Sequence, residues 1–148
     1  MGQETIALAK YMTPELQERA SGILTSLRNA AHANSADKGF WEKDDEILKL
    51  LQDACRPDLA KHHWNNVMLT KIALIHSELG EMTEGIRTGN GPSDKLHEYG
   101  LSQAEEEGAD VFVRLGDLFG RMGWNLGASV LKKMGYNTGR ERLHGKQL

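Results

Sequence analysis

Glu78 and Glu81 stand three residues apart in ELGEMTEG (78–85), and Glu107 and Asp110 stand three apart in EEEGAD (105–110). A helical step of three residues turns the chain by about 300°, so each pair lies on one face, a turn apart. Two such helices packed antiparallel would aim four carboxylates at one cleft. The acids would repel one another and raise their own pKa values, a penalty that a hard divalent cation removes. Mg²⁺ and Mn²⁺ take oxygen ligands, and Mg²⁺ commonly uses a few carboxylates together with substrate phosphates. The plainer alternative is a solvated acidic face, which is how Glu84, Glu105 and Glu106 read. Gly80 lies within the first pair, and Gly108 and Ala109 lie within the second. A glycine inside a helix costs about 1 kcal/mol relative to alanine, so these positions predict close approach of another group. A di-iron bundle would want Glu-x-x-His on two helices; Glu141 and His144 in the tail make the one match.

These acids need long helices to position them, and the apolar spacing predicts such helices. Residues 1–12 read as a loosely held lead-in. Thr13-Pro14 is a helix start, with a hydroxyl to cap and proline at the first helical position. Leu16, Ala20, Ile23, Leu24, Leu27 and Ala31 then form a helical stripe. The stretch 34–44 breaks it, and 46–55 reads as a short helix stopped before Pro57. The longest helix is expected from 58 or 63 to 87, with Trp64, Val67, Met68, Ile72, Ile75, Leu79, Met82 and Ile86 on its inner face. A loop over 88–94 follows from its glycines, Asn90 and Pro92. Ser102 and Glu105 form a capping box for a helix running to about Arg121, with Val111, Leu115, Leu118, Phe119 and Met122 inside. Gly123 ends it, and a short helix over about 126–134 leads into a basic tail. The expected fold is an all-α bundle of four to five helices in a single domain over 1–148.

Bulk composition agrees with that fold. The 148 residues allow one real core, and 39% apolar with 26% charged residues suits a helical globule. A net charge of −3 gives no reason to expect nucleic-acid binding. No run is apolar enough for a membrane span and no secretory leader opens the chain, so a cytoplasmic protein is expected. The lone Cys55 cannot form an internal disulfide and reads as core or partly exposed filler. Zinc-type Cys/His spacings, a P-loop and a nucleophile elbow are absent from the sequence.

ELGE (78–81) followed by EGAD (107–110) resembles the E-x-x-E … E-x-x-D signature of MazG-like, all-α nucleoside triphosphate pyrophosphohydrolases. Segments 71–87, 109–124 and 132–146 look like the corresponding parts of phage and integron-cassette members. AHANSADKGFW (31–41) resembles their H-x-x-A-x-x-K-G-F-W loop. The likeness spans roughly 28–146; residues 1–27 and 45–62 match no part of the pattern, and Gly108-Ala109 replaces bulkier residues.

This resemblance implies hydrolysis of a (deoxy)nucleoside triphosphate to monophosphate and pyrophosphate, shaping the dNTP pool, with dGTP or GTP among the candidate substrates. It implies Mg²⁺, replaceable by Mn²⁺, on Glu78, Glu81, Glu107 and Asp110, one of the glutamates holding the attacking water as base. Phosphate contacts are expected from Lys133, Asn137 and Arg140, which fall three to four apart on one helical face, and from Lys38. The alternative for the helix residues is a basic end complementing the helix dipole. Lys71, two turns before Glu78, reads as a supporting partner of the acids or an exposed lysine. Trp41 is expected to stack on the base and His32 to line its pocket, with Phe40 in the core; Trp64 and Trp124 are assigned to packing or a subunit interface. Members associate as dimers or tetramers, so a homo-oligomer is expected, in host cytoplasm if phage-encoded. Remaining alternatives are a dUTPase or dCTPase of the same fold, a phosphoribosyl-ATP pyrophosphohydrolase, and a non-enzymatic helical binding protein.

Overall fold

A computed structural model describes residue 8 and residues 10–141. Among the described residues five α-helices are delimited, in order: α1 (Pro14–Asp37), α2 (Glu42–Asp53), α3 (Pro57–Arg87), α4 (Gln103–Arg121) and α5 (Leu126–Thr138). The described residues hold no strand, only an isolated bridge between Pro92 and Ser102 and a 3₁₀ turn at His97–Tyr99. The all-helical class expected from the spacing is therefore observed.

The helix starts follow their local chemistry. Thr13 accepts from the Leu16 N–H with Pro14 at the first position, and Asn125 does the same for Ala128 at the head of α5. Ser102 and Glu105 close the expected reciprocal capping box. α2 begins four residues earlier than expected, directly after Trp41. Glu42, Asp44 and Asp45 fill its first turn, where negative charge favours the helix dipole. α5 is longer than expected and carries both Lys133 and Asn137.

α3 and α4 form an antiparallel hairpin. Gly85 lies against Gln103 and Ala104 near the turn, Met82 reaches Gly108, and Arg121 packs over Trp64 at the far end. Inside the turn, Asn90 accepts from the Ala104 N–H, and the Ser93 N–H donates to the Leu101 carbonyl. α1 crosses α4, and α5 packs on α1. Small residues set those crossings: Gly116 and Gly120 meet Ala31 and His32, and Gly127 sits against the Ser21 backbone. Gly80, by contrast, faces open space. The close approach expected within the ELGE pair is instead found at Gly85, one turn further along.

Among the described residues the buried apolar side chains are Leu8, Trp41, Val67, Ala104, Leu118 and Leu126. Leu8 corrects part of the expected loose lead-in, since it is buried and its carbonyl accepts from the Tyr11 and Met12 N–H groups. Residues 1–7 and 9 lie outside the described set, as do 142–148 of the basic tail, His144 included. The inner stripe expected for α3 is split. Val67 is buried and Ile75 half-buried, while Ile72, Leu79 and Ile86 are exposed. Leu16, Ile23 and Leu27 of α1 also face outward. Cys55 is exposed and follows α2 in the left-handed region at φ 52°. No helix among the described residues is long and apolar enough to cross a membrane.

The two glycine environments predict opposite effects of one methyl group. Gly127→Ala should destabilise by about 1–3 kcal/mol, because its Cβ would overlap the Ser21 backbone. Gly80→Ala should stabilise by up to about 1 kcal/mol. Urea unfolding midpoints of the two variants test this pair of signs.

Candidate metal centre

Where α3 and α4 lie side by side, each contributes carboxylates to one spot. Glu78, Glu107 and Asp110 offer oxygens that all lie within 4.8 Å of one another. Glu78 is buried, Glu107 is nine-tenths buried, and Asp110 is half-buried. The fourth acid, Glu81, is exposed one turn further along α3, outside this set. It lines an adjoining cleft with Glu84, Asp94, Lys95, Glu106 and Glu107.

The buried carboxylates are unequally satisfied. Arg114 pairs with Glu78 at 2.6 Å. Glu107 Oε2 is buried and meets no donor among the described residues. Burial pushes the Glu107 carboxyl up to about 7, helped by the facing Glu78 carboxyl and the negative charge of Glu81; the Lys95 ammonium opposes the rise. An unpaired buried oxygen among three acids is the arrangement that oxygen-loving divalent ions satisfy. Among the described residues neither nitrogen nor sulfur ligands join the group, so the donor set fits Mg²⁺ or Mn²⁺.

Glu106 corrects the reading of a solvated acid. It is buried, accepts from the Ser93 hydroxyl and pairs with Lys95 at 3.1 Å. Its carboxyl is held below the usual range by the Ser93 hydrogen bond and then by Lys95. Lys95 is held above its usual value by the same hydrogen bond, with the charges of Glu106, Glu107 and Asp110 adding to it. Glu84 and Glu105 do behave as surface acids, bound to Arg87 and to the Ser102 cap.

A second cleft, of about 370 Å³, opens on the other side of Asp110. Its walls include Phe40, Lys71, Leu74, Arg114 and Asp117. Here the expected roles of the KGFW pair are exchanged. Trp41 is 3% exposed and donates its indole N–H to Asp117 at 3.0 Å, while Phe40 is 63% exposed at the cleft mouth. Trp41 therefore has no face left to stack on a ligand. The reason is chemical: an indole has a polar edge that a buried Asp117 can satisfy, and a phenyl ring has none. His32 Nδ1 lies 2.8 Å from the same Asp117 carboxylate, so its ring is committed to that network rather than facing the cleft. Lys71 donates to the Phe40 carbonyl at 2.9 Å and lies over the Trp41 ring; it anchors the loop instead of supporting the acids.

Lys133, Asn137 and Arg140 are exposed at the α5 end, where Lys133 and Arg140 flank the Tyr136 ring. They line neither cleft, and α5 packs on α1 rather than on the acid-bearing hairpin. Lys38 caps α1 through its backbone N–H with its side chain exposed, also outside the cleft walls. The cations near the acids are Arg114 and Lys95. Arg114 was findable from spacing, since it stands four residues after Asp110 on the same helical face. Lys95 comes from the loop and carries no such periodic signal.

No protein-family model, curated protein or solved structure matches the chain.

The Glu107 environment predicts an unusual pH profile. The folded, metal-free chain keeps that proton up to about pH 7, whereas the unfolded chain releases it near 4.5. The folded state thus binds more protons within that window, and this group's contribution to stability falls as pH rises through it. Glu107→Gln should flatten that part of the slope, read from urea midpoints at about pH 5 and about pH 8. Mn²⁺ affinity of the unmodified chain should weaken below about pH 7, because proton and cation compete for one carboxylate.

Proposed function

We propose that this chain is a divalent-cation-dependent nucleotide pyrophosphohydrolase of the MazG-like all-α kind, cleaving a (deoxy)nucleoside triphosphate to monophosphate and pyrophosphate. The observation that carries the reading is a buried Glu107 carboxylate, its Oε2 meeting no donor among the described residues, in a group whose oxygens converge with those of Glu78 and Asp110. Glu78, Glu107 and Asp110 would hold Mg²⁺, with Mn²⁺ as a substitute. When bound, the ion supplies neutralisation of phosphate charge and acidification of water. Glu81, exposed one turn away, would serve as the base for an attacking water. Phe40 and Leu74 offer the adjoining cleft an apolar wall, and Phe40 takes the stacking role first assigned to Trp41. Self-association belongs to the same reading. Leu16, Ile23 and Leu27 on α1 and Leu69 and Ile86 on α3 are exposed apolar side chains that a second copy would cover.

The test is a pyrophosphate-release screen across canonical and modified (d)NTPs with and without Mg²⁺. One or more substrates should turn over, and a chelator should stop it. Glu78→Gln and Asp110→Asn should each lower kcat by at least about 100-fold, whereas Phe40→Ala should chiefly raise KM. A folded chain that binds nucleotide and releases no pyrophosphate with any of them would be a helical binding protein instead.

A further inference from the structure

The Arg114–Glu78 pair sits at the junction of the acid cluster and the adjoining cleft. Glu107, Asp110 and Arg114 follow one another at three and four residues along α4, so they form one ridge facing α3. The Arg114 guanidinium lies 2.6 Å from Glu78 Oε1. Glu78 itself contributes to the group whose oxygens converge within 4.8 Å. The Glu78 side chain is 7% exposed and that of Arg114 is 41% exposed. One partner is therefore fixed inside the hairpin and the other reaches in from the cleft wall. The cleft's other cation, Lys71, is already engaged by the Phe40 carbonyl.

We propose that Arg114 is an exchangeable counter-ion: it occupies Glu78 until a divalent cation arrives, then turns into the cleft and binds an anionic ligand there. The proposal rests on the metal reading above. A divalent ion bound to Glu78 and the guanidinium would sit within a few ångströms of each other and repel. Arginine cannot relieve that repulsion by losing a proton, so its side chain has to move. Glu78 is on a buried helix face and stays. The open cleft is the space available to Arg114, and there its planar fork suits phosphate oxygens. The order of binding follows: the divalent ion first, the phosphate-bearing ligand second.

Calorimetry on the full chain tests this with Mn²⁺ alone and with inorganic pyrophosphate. Arg114→Met should bind Mn²⁺ about three- to fivefold more tightly, because no resident cation has to leave. In saturating Mg²⁺ the same variant should bind pyrophosphate at least about tenfold more weakly than the unmodified chain. Arg114→Lys should fall between the two. Independently of any variant, the Arg114 Nε–H resonance of the unmodified chain should shift when Mg²⁺ is added. Unchanged or weaker Mn²⁺ binding by Arg114→Met, or an Nε–H resonance that ignores Mg²⁺, overturns the exchange while leaving the metal reading intact. Failure of the unmodified chain to bind Mn²⁺ overturns both.

Discussion

Two carboxylates, Glu78 and Glu107, are packed against each other between neighbouring helices and largely away from water. Desolvating each charge costs several kcal/mol unless partners replace the lost water. Arg114 serves Glu78, and Glu107 is left to hold a proton. The surrounding hairpin is arranged so that this cost does not pull it apart. Gly85 permits close packing at the turn, Asn90 caps the head of α4, and the neighbouring Glu106 is fully served by Ser93 and Lys95. An acid that is merely structural looks like Glu106. Glu107, by contrast, keeps one buried oxygen that meets no donor among the described residues.

Asp117 offers the same contrast within one helix. It is as buried as Glu107, yet it accepts from the Trp41 indole and is bonded to His32. Its oxygens are spoken for, and its work is to fix the loop between α1 and α2 against α4. Lys71 and Arg121 lie over the Trp41 ring and complete that anchorage. Phe40 is thereby forced outward at the cleft. The wall beside Asp110 is thus shaped by a polar network whose bonds lie within the chain.

Helix existence and the caps at Thr13 and Ser102 were legible in spacing alone, because periodicity and capping are local properties; of the four acids expected to converge across two helices, Glu78, Glu107 and Asp110 do and Glu81 stands outside. Which acids are buried was not. Glu105, Glu106 and Glu107 are identical in type and adjacent, and only tertiary packing, of the 88–102 loop for the first two and of α3 for the third, separates a cap, a satisfied core acid and an unpaired one. The Phe40–Trp41 exchange was illegible for a similar reason: it depends on Asp117, far along the chain. Gly80 misled because a helical glycine signals either close packing or none. The apolar stripes of α1 and α3 were visible, but a stripe does not say whether it faces its own chain or the outside.

All three converging acids come from one helical hairpin whose arms adjoin in sequence. A chain emerging from the ribosome amino end first therefore has all three carboxylates outside the exit tunnel before α5 has fully emerged. α3 and α4 can thus pair before α5 is complete, and α5 then docks onto α1, which already packs on α4.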